Sequence, residues 1–181
     1  MQKVSVIYFI NVKIKYIMSI QPDKVQPKNK AQLKSLIEYA FKHNIYNLNF
    51  IDTSEITDMS HLFCNCMHNF DVSNWDVSNV TDMTHMFSWC NNFEGKGLEH
   101  WNVSNVIKTS NMFHGCHNFN CDLSNWNVSN IYDAIKMFKE CKNFEGKGLE
   151  NWNLEKIIFC YDMFYGCDKI TTPKWYKKNN F

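Results

Sequence analysis

Residues 75–101 read WDVSNVTDMTHMFSWCNNFEGKGLEHW and contain one complete unit of a pattern that the chain writes five times. Each unit begins with a bulky residue, continues with an apolar pair eleven and twelve positions later, and reaches a cysteine fifteen positions later. The five sets are Ile51/Leu62-Phe63/Cys66, Trp75/Met86-Phe87/Cys90, Trp101/Met112-Phe113/Cys116, Trp126/Met137-Phe138/Cys141 and Trp152/Met163-Phe164/Cys167. Successive units start 24, 26, 25 and 26 residues apart, and a sixth begins at Trp175. This fixed period predicts a stacked array in which each unit buries its apolar face against its neighbours.

The periodicity inside each unit predicts a short strand followed by a short helix. Trp101 and Val103 alternate with polar residues, which is typical of a strand. Val80, Met83 and Met86 then follow at steps of three, which is typical of a helical turn. Stacking such units of about 25 residues would place a parallel sheet on one side and helical turns on the other. We therefore expect an α/β repeat with the architecture of a leucine-rich-repeat-like solenoid.

A capping helix is predicted at the N-terminal end of the array. Residues 29–43 carry an apolar stripe at helical spacing, and Asn29 followed by Gln32 resembles a capping box. Alternating apolar residues at 46–50 predict a first strand. The domain organisation that follows is residues 1–26 as an extension or degenerate signal, 27–50 as capping helix and first strand, 51–174 as five repeats, and 175–181 as a tail.

The first twenty residues leave the cellular location open. Their apolar run, 4–10, is interrupted by Lys13 and Lys15 and is shorter than the roughly 20 apolar residues of a membrane span. No small-residue cleavage site follows it. A degenerate secretion signal and a strand-like extension are both compatible with this pattern. We expect no membrane span, with either a surface or secreted protein or, as the alternative, a cytoplasmic one.

The composition argues for a folded protein that does not bind nucleic acid. The chain has 181 residues, 45% of them hydrophobic, and a formal net charge of +1. Its nineteen basic residues are all Lys, so no arginine fork is available for bidentate recognition of phosphate or guanine. Partners other than nucleic acid are expected.

The chain has eight cysteines, five of which share one repeat position. Small thiols at a repeated inward position are typical of a buried ladder. If short helices carry these cysteines, neighbouring helical segments lie about 8 to 10 Å apart, whereas a disulfide needs Cα atoms roughly 4.4 to 6.8 Å apart. The thiols are therefore expected to be free.

Two motifs suggest chemistry but lack the spacing that the chemistry requires. His61, Cys64, Cys66 and His68 resemble a metal site, yet no second ligand pair follows at zinc-finger or zinc-ribbon spacing. The Gly-Lys-Gly sequence at residues 95–97 is followed by Leu, not by the Ser or Thr of a phosphate-binding loop. We expect no catalytic residues, no metal and no cofactor, and a metal-dependent enzyme is the remote alternative.

The candidate protein-binding face flanks the tryptophans. If the tryptophans point inward, the residues immediately before and after them point outward. These residues form two rows, Asn74, His100, Asn125, Asn151 and Asp76, Asn102, Asn127, Asn153. Two accounts stay open: the side chains bond one another and only support the turns, or they form the surface that engages a partner.

A family resemblance follows from two long strings. Residues 70–93, FDVSNWDVSNVTDMTHMFSWCNNF, and residues 119–144, FNCDLSNWNVSNIYDAIKMFKECKNF, resemble the bacterial BspA-type leucine-rich-repeat surface proteins. The resemblance covers roughly residues 45–175. It implies a non-enzymatic, adhesin-like protein-binding module whose ligand is a host matrix protein or another bacterial surface protein. An intracellular protein-interaction scaffold is the alternative.

Overall fold

The N-terminal end of the stack carries one α-helix, as predicted. The computed structural model of the chain describes residues 24–176, and helix α1 spans Lys30–Lys42. Asn29 is the N-cap, and its side-chain oxygen accepts from the amide of Gln32 at 3.0 Å. Gln32 Oε1 in turn accepts from the amide of Lys28 at 2.8 Å, whereas a capping box would have it accept from the amide of the N-cap, Asn29. The buried face of α1 consists of Leu33, Leu36, Ile37 and Ala40.

The predicted α/β leucine-rich-repeat-like solenoid of strand and short-helix units is wrong. Apart from α1, the helical elements of residues 24–176 are two single 3₁₀ turns, Leu98–His100 and Leu149–Asn151. Neighbouring units meet at isolated parallel bridges and form no sheet within this part of the chain. The predicted strand at 46–50 is likewise a single bridge, from Asn47 to Asp71. The repeats are instead stacks of consecutive turns.

The turns that contain the apolar pair form the backbone of the stack, and each such segment is called a rung. The rungs are residues 58–66, 82–90, 108–116, 133–141 and 159–167, joined by bridges at 58–82, 82–108, 108–133 and 133–159. Alternate amides of one rung donate to carbonyls of the next rung. From the second rung, Met83, His85, Phe87 and Trp89 donate to Lys108, Ser110, Met112 and His114, at 2.7 to 2.9 Å.

Left-handed residues explain why the rungs are not helices. Each rung has two residues with positive φ, four positions apart, with φ between 54° and 74°. They are His61, Asn65, His85, Trp89, Asn111, Gly115, Lys136, Glu140, Asp162 and Gly166. A right-handed helix cannot continue through such a residue, because its backbone turns in the opposite, left-handed sense. The step of three that predicted a helix comes from successive turns closed by bonds such as Met86 N to Met83 O, at 3.1 Å.

The tryptophan segments are turns, although the tryptophans are buried as predicted. The amide of Trp101 donates to Leu98 O at 3.0 Å, closing a turn where a strand was expected. Trp101 is 3% exposed and Trp126 4% exposed. Their indole nitrogens reach back into the preceding repeat, as for Trp101 Nε1 to Val72 O at 3.2 Å. The tryptophans that begin the second to fifth units therefore fill the core and also bond one repeat to another, whereas Trp89, on the second rung, is 38% exposed.

An aromatic column runs through the core along the stacking direction. The rings of Phe63, Phe87, Phe113, Phe138 and Phe164 lie parallel, with neighbouring centroids 5.5 to 5.8 Å apart. Identical residues at one rung position therefore stack on one another, as the fixed period predicts. Burial of such rings supplies much of the hydrophobic stabilisation of a stacked array.

The cysteine ladder is confirmed, although rungs and not helices carry it. Cys90, Cys116 and Cys141 are fully buried, while Cys66 and Cys167 are half-buried. Each thiol after the first donates to a phenylalanine carbonyl one rung earlier, as for Cys116 Sγ to Phe87 O at 2.8 Å. All eight cysteines are free. The predictions for the two chain ends, 1–26 and 175–181, lie largely outside the described residues.

Candidate functional site

The eight predicted face residues all lie on the surface. Because each tryptophan side chain points into the core, the residues on either side of it point outward. The residues that follow the tryptophans, called the Asx row, are Asp76, Asn102, Asn127 and Asn153. Those that precede them, called the outer row, are Asn74, His100, Asn125 and Asn151. The structure thus aligns both rows along the stack.

The Asx row is fixed by its own turns. In each member a side-chain oxygen accepts from the amide two residues later, as in an Asx turn. The distances are 2.9 Å for Asp76 to Ser78, 3.2 Å for Asn102 to Ser104, 3.2 Å for Asn127 to Ser129 and 3.2 Å for Asn153 to Glu155. The side chains therefore support their own turns and do not bond one another along the row. Among residues 24–176, the Nδ2 groups of Asn102 and Asn127 contact no acceptor and point to solvent.

The outer row is held less regularly. The backbone amide of Asn74 donates to Asn49 Oδ1 at 2.8 Å, while Asn125 Nδ2 donates to Glu99 O at 3.4 Å. His100 Nε2 lies 3.7 Å from Glu99 Oε1, and the His100 side chain is 72% exposed. The two rows differ in consequence: the Asx row has one repeated geometry, whereas Asn74, His100 and Asn125 of the outer row each make a different contact.

A third asparagine row was missed from the sequence. Asn79, Asn105 and Asn130 donate from Nδ2 to serine carbonyls one repeat earlier, at 2.7 to 2.8 Å. These are the inter-repeat bonds that the sequence assigned to the residues beside tryptophan. The recurring Val-Ser-Asn string, with Asn four residues after Trp, was the available signal. This row is structural, since each side-chain amide donates to a backbone carbonyl of the preceding repeat.

An exposed apolar side chain lies immediately before each of the later rungs. Ile107, Tyr132 and Ile158 occupy one repeat position and are 42%, 38% and 54% exposed. Ile107 and Tyr132 line a shallow groove together with Asn105 and Asn130. The groove is a second surface that the sequence did not single out, because Thr57 and Thr81 hold the same position in the first repeats and hide the pattern.

His61, Cys64, Cys66 and His68, which resemble a metal site in the sequence, are not assembled into one. The ring of His61 stacks on His85 with centroids 4.7 Å apart, while His68 lies against Tyr46 at 5.0 Å. Burial raises the pKa of Cys64 and Cys66, which keeps both thiols protonated and disfavours metal binding. In the described part of the chain, no three His, Cys, Asp or Glu side chains are placed to hold a metal ion.

The Gly-Lys-Gly segments are connectors, because they need glycine where the backbone passes close to the preceding repeat. Gly97 has φ 92°, and a Cβ there would lie 2.2 Å from the Cβ of Ser73. Gly148 occupies the same position in a later repeat, with φ 90°, and a Cβ there would lie 2.2 Å from the amide nitrogen of Ser124. Close approach between adjacent repeats, and not phosphate binding, accounts for these glycines.

Comparison with known proteins places the chain in a family by its sequence. Within residues 24–176, no helix is both long and apolar enough to cross a membrane. No curated protein and no solved structure matches the chain. One family profile does match, over residues 31–96 and 57–175, which together include all but the first residue of α1 and all five rungs. The chain therefore belongs to the family described as "Mycoplasma protein of unknown function, DUF285".

Proposed function

We propose that this chain is a non-enzymatic protein-binding repeat module at a bacterial surface, with an adhesin-like role as in the BspA-type proteins. The observation that supports it is the Asx row. Its members recur once per repeat, are exposed, and have side chains fixed by bonds to their own backbone. A partner that contacts several members at once orders few side chains on binding, so less of the contact energy is lost to entropy.

The chemistry of the row favours a protein ligand. Asn102 and Asn127 offer amide donors to solvent, and Asp76 offers a carboxylate, in a line whose repeat is set by the stack. Such groups hydrogen-bond main-chain amides and carbonyls as well as polar side chains. We propose as ligand a host matrix protein or another bacterial surface protein.

The state of the cysteines argues for binding and against nucleophilic catalysis. Burial is the main cause that raises the pKa of Cys90, Cys116, Cys121, Cys141 and Cys167. For Cys121 the pKa rises to about 12. The thiolate is the reactive form of cysteine, so these residues are inert at neutral pH. Elemental analysis of the purified protein tests the remaining enzyme alternative, since a stoichiometric metal would contradict the proposal.

A charge-reversal variant tests the binding face. Purified protein is passed over immobilised matrix proteins and over bacterial surface extract, and a retained partner is identified before variants are compared. We expect the triple variant Asp76→Lys, Asn102→Lys, Asn127→Lys to lose binding. His85 and Lys136 lie on the rungs, away from the row, so the double variant His85→Asn, Lys136→Asn is the control that keeps binding.

The isosteric double variant Asn102→Asp, Asn127→Asp tests whether the solvent-facing amides contact the partner or whether these side chains only support their own turns. Aspartate keeps the side-chain oxygen that closes each Asx turn and replaces only the solvent-facing amide. We expect unchanged thermal unfolding and weakened binding. If the triple-lysine variant is folded and binds the partner as well as wild type does, the Asx row is structural only.

The intracellular scaffold is the second candidate, favoured by the eight free thiols. Free thiols are the usual state in a reducing compartment. Each ladder thiol after the first also has a backbone acceptor in the core, which keeps it from other thiols. Protease treatment of intact cells distinguishes the candidates: degradation of the protein supports the surface location, and full protection contradicts it.

A further inference from the structure

The groove beside Ile107 and Tyr132 runs along the side of the stack and crosses four successive repeats. Its residues come from two repeat positions, four and six places after the tryptophan that begins each unit. They are Asn79, Asn105, Asn130 and Lys156 in one row and Thr81, Ile107 and Tyr132 in the other, around a volume of about 720 Å³. A polar row and a largely apolar row therefore run side by side along the stack.

Direct backbone bonds set the repeat distance along the groove. The amides of Ile107, Tyr132 and Ile158 donate to the carbonyl one repeat earlier, at 2.9 to 3.0 Å. Chains bonded to each other in this way lie about 4.8 Å apart. Equivalent groove positions therefore recur about every 4.8 Å, and every second one recurs about every 9.6 Å.

This period selects the backbone conformation of an extended ligand that lies along the groove. One turn of polyproline II has three residues and rises about 9.3 Å, so the same face of the ligand returns at nearly every second repeat. A β-strand returns the same face about every 6.6 Å, and an α-helix about every 5.4 Å, which drifts by about 0.6 Å at each repeat. Of the three conformations, polyproline II stays in register with the groove.

Two asparagines of the groove offer acceptors to such a ligand. The Nδ2 groups of Asn79 and Asn105 donate to the carbonyls of Ser54 and Ser78 at 2.8 and 2.7 Å, which fixes both side chains. Within residues 24–176, no donor reaches the Oδ1 atom of either asparagine. A polyproline II backbone makes no internal hydrogen bonds, so its amides are free to donate to these oxygens.

Ile107 and Tyr132 provide the apolar contact. Their side chains are 42% and 38% exposed. The Tyr132 ring meets the Phe159 ring at 89°, with centroids 5.3 Å apart, and this contact restricts the tyrosine before any ligand binds. Proline-rich segments dock against aromatic side chains, because the polyproline II helix is preformed and loses little entropy on binding.

Lys156 gives one end of the groove a positive charge. It is the only charged residue among those that line the groove. Its Nζ lies 2.6 Å from Asn130 Oδ1, and no carboxylate of residues 24–176 forms an ion pair with it. The groove is therefore complementary to a ligand that carries an acidic side chain near this end.

We propose that this groove binds a proline-rich segment of another protein in the polyproline II conformation. Prolines of the segment pack against Ile107 and Tyr132, amides of its other residues donate to Asn79 and Asn105, and an acidic residue pairs with Lys156. No residue of the groove belongs to the Asx row, so the inference does not depend on the proposed function.

A second copy of this chain does not supply such a segment. Its three prolines are Pro22, Pro27 and Pro173, and no two of them are adjacent or three residues apart. The occupant is therefore a proline-rich segment of a different protein.

Synthetic peptides test the groove with the protein as it is. A peptide of three Glu-Pro-Pro units adopts polyproline II and carries an acidic residue in each turn, so that one reaches Lys156 in either chain direction. We expect saturable binding that shifts the NMR signals of the Asn79 and Asn105 side-chain amides and of the Tyr132 ring. Shifts confined to residues outside the groove, or no saturable binding, would overturn the proposal.

A flexible peptide of equal charge is the matched control. Three Glu-Gly-Ser units have no preference for polyproline II and must be ordered on binding. We expect this peptide to bind at least about tenfold more weakly than the Glu-Pro-Pro peptide. Equal affinities would show that charge alone attracts both peptides and would contradict the proposal.

Restoring the residues of the first repeats supplies the matched variant. Ile107→Thr with Tyr132→Thr places at each position the residue that Thr57 and Thr81 hold in the first two repeats, so the fold is retained. We expect affinity for the Glu-Pro-Pro peptide to fall about tenfold or more, since aromatic anchors dominate such contacts. Met67→Ser removes an exposed apolar side chain elsewhere and should leave this affinity unchanged. Equal affinity of wild type and the double threonine variant overturns the proposal.

Lys156→Asn tests the charged end of the groove. Asparagine holds this position in the three preceding repeats, so the substitution suits the turn. Wild type is expected to bind the Glu-Pro-Pro peptide more tightly than a peptide of three Lys-Pro-Pro units, and Lys156→Asn should reduce this preference. A preference that is absent in wild type, or unchanged in the variant, would overturn the assignment of the acidic residue to Lys156.

Discussion

The indole Nε1 of Trp126 donates a 2.8 Å hydrogen bond to the carbonyl oxygen of Leu98, one repeat earlier. That carbonyl also accepts from the amide of Trp101 at 3.0 Å. One oxygen therefore accepts both the bond that closes its own turn and the bond from the indole of the next repeat. The same arrangement recurs at Trp75, Trp101, Trp152 and Trp175. Each tryptophan therefore couples two repeats by packing and by a directed bond.

Truncation of Trp126 is expected to destabilise the protein strongly. Trp126→Ala loses a nearly fully buried indole and leaves a cavity, which costs about 3 to 5 kcal/mol. Trp126→Phe keeps most of the ring but loses the bond to Leu98, with an expected cost of about 1 to 2 kcal/mol. Chemical denaturation measures both changes. Hydrogen exchange should show the damage first in adjacent repeats and last in α1, and uniform loss of protection would contradict a nearest-neighbour stack.

Replacement of Gly97 by alanine is expected to destabilise the protein more than replacement of Gly166. Both have positive φ, 92° and 74°, so alanine is strained at either position. At Gly97 the added Cβ also meets Ser73, including its backbone Cα at 2.7 Å, whereas at Gly166 the nearest atom is a flexible Glu140 side-chain carbon at 3.0 Å. We expect Gly97→Ala to lower the free energy of unfolding by about 1 kcal/mol or more beyond Gly166→Ala. Equal losses would contradict the close approach.

The buried thiols are expected to make the protein sensitive to alkaline pH. Burial raises the pKa of Cys116 and Cys141 above the unfolded value of about 8.5. A raised folded pKa contributes stability that is present below the unfolded pKa and is lost as pH rises, because only the unfolded thiols ionise. Denaturation at pH 7 and 10 measures the loss, and Cys141→Ala should reduce the pH dependence. An equal pH dependence in that variant would contradict the assignment.

Thiol labelling checks the same geometry chemically. Eight thiols should react after denaturation without a reductant, because all eight cysteines are free. In the folded protein Cys64 should label before Cys116, since it is only partly buried and has no place in the ladder. Loss of four or more reactive thiols would mean that repeats are cross-linked.

Mild acid is expected to destabilise the fold at the stacked rings of His61 and His85. Burial first, and then the charges of His61 and His114, lower the pKa of His85. A lowered folded pKa means that stability is full above the unfolded value of about 6.5 and declines as pH falls through it. Thermal unfolding between pH 8 and pH 5 should show this decline, and His85→Asn should flatten it. Asparagine fits, because Asn111 holds the same left-handed position in the next rung.

The period, the buried tryptophans, the cysteine ladder and α1 could be predicted because each depends on side-chain spacing alone. The strand and helix assignments failed because the backbone of a rung depends on left-handed residues. Asn111 and Gly115 would have signalled such a backbone, but Trp89, Lys136 and Glu140 give no such signal. Because each rung is a series of turns closed by bonds between residues three apart, such as Met86 N to Met83 O, a spacing of three arises without a helix.

The candidate face was partly predictable for a similar reason. Alternation around Trp101 gave the correct outward residues, since a turn with a buried tryptophan also directs its neighbours to solvent. The bonding of those residues was not predictable, because Asn102 and Asn105 have the same side chain and differ only in which backbone group lies within reach.

The connectors and the rungs have different tolerances to change in length. Units of 24, 26, 25 and 26 residues nevertheless present rungs in constant register, so the extra residues are absorbed in the connectors around Gly97 and Gly148. Rungs join one another mainly through main-chain groups at fixed positions, which any unit of the same pattern supplies. Gene duplication or unequal recombination can therefore add or remove whole units without inventing a new contact.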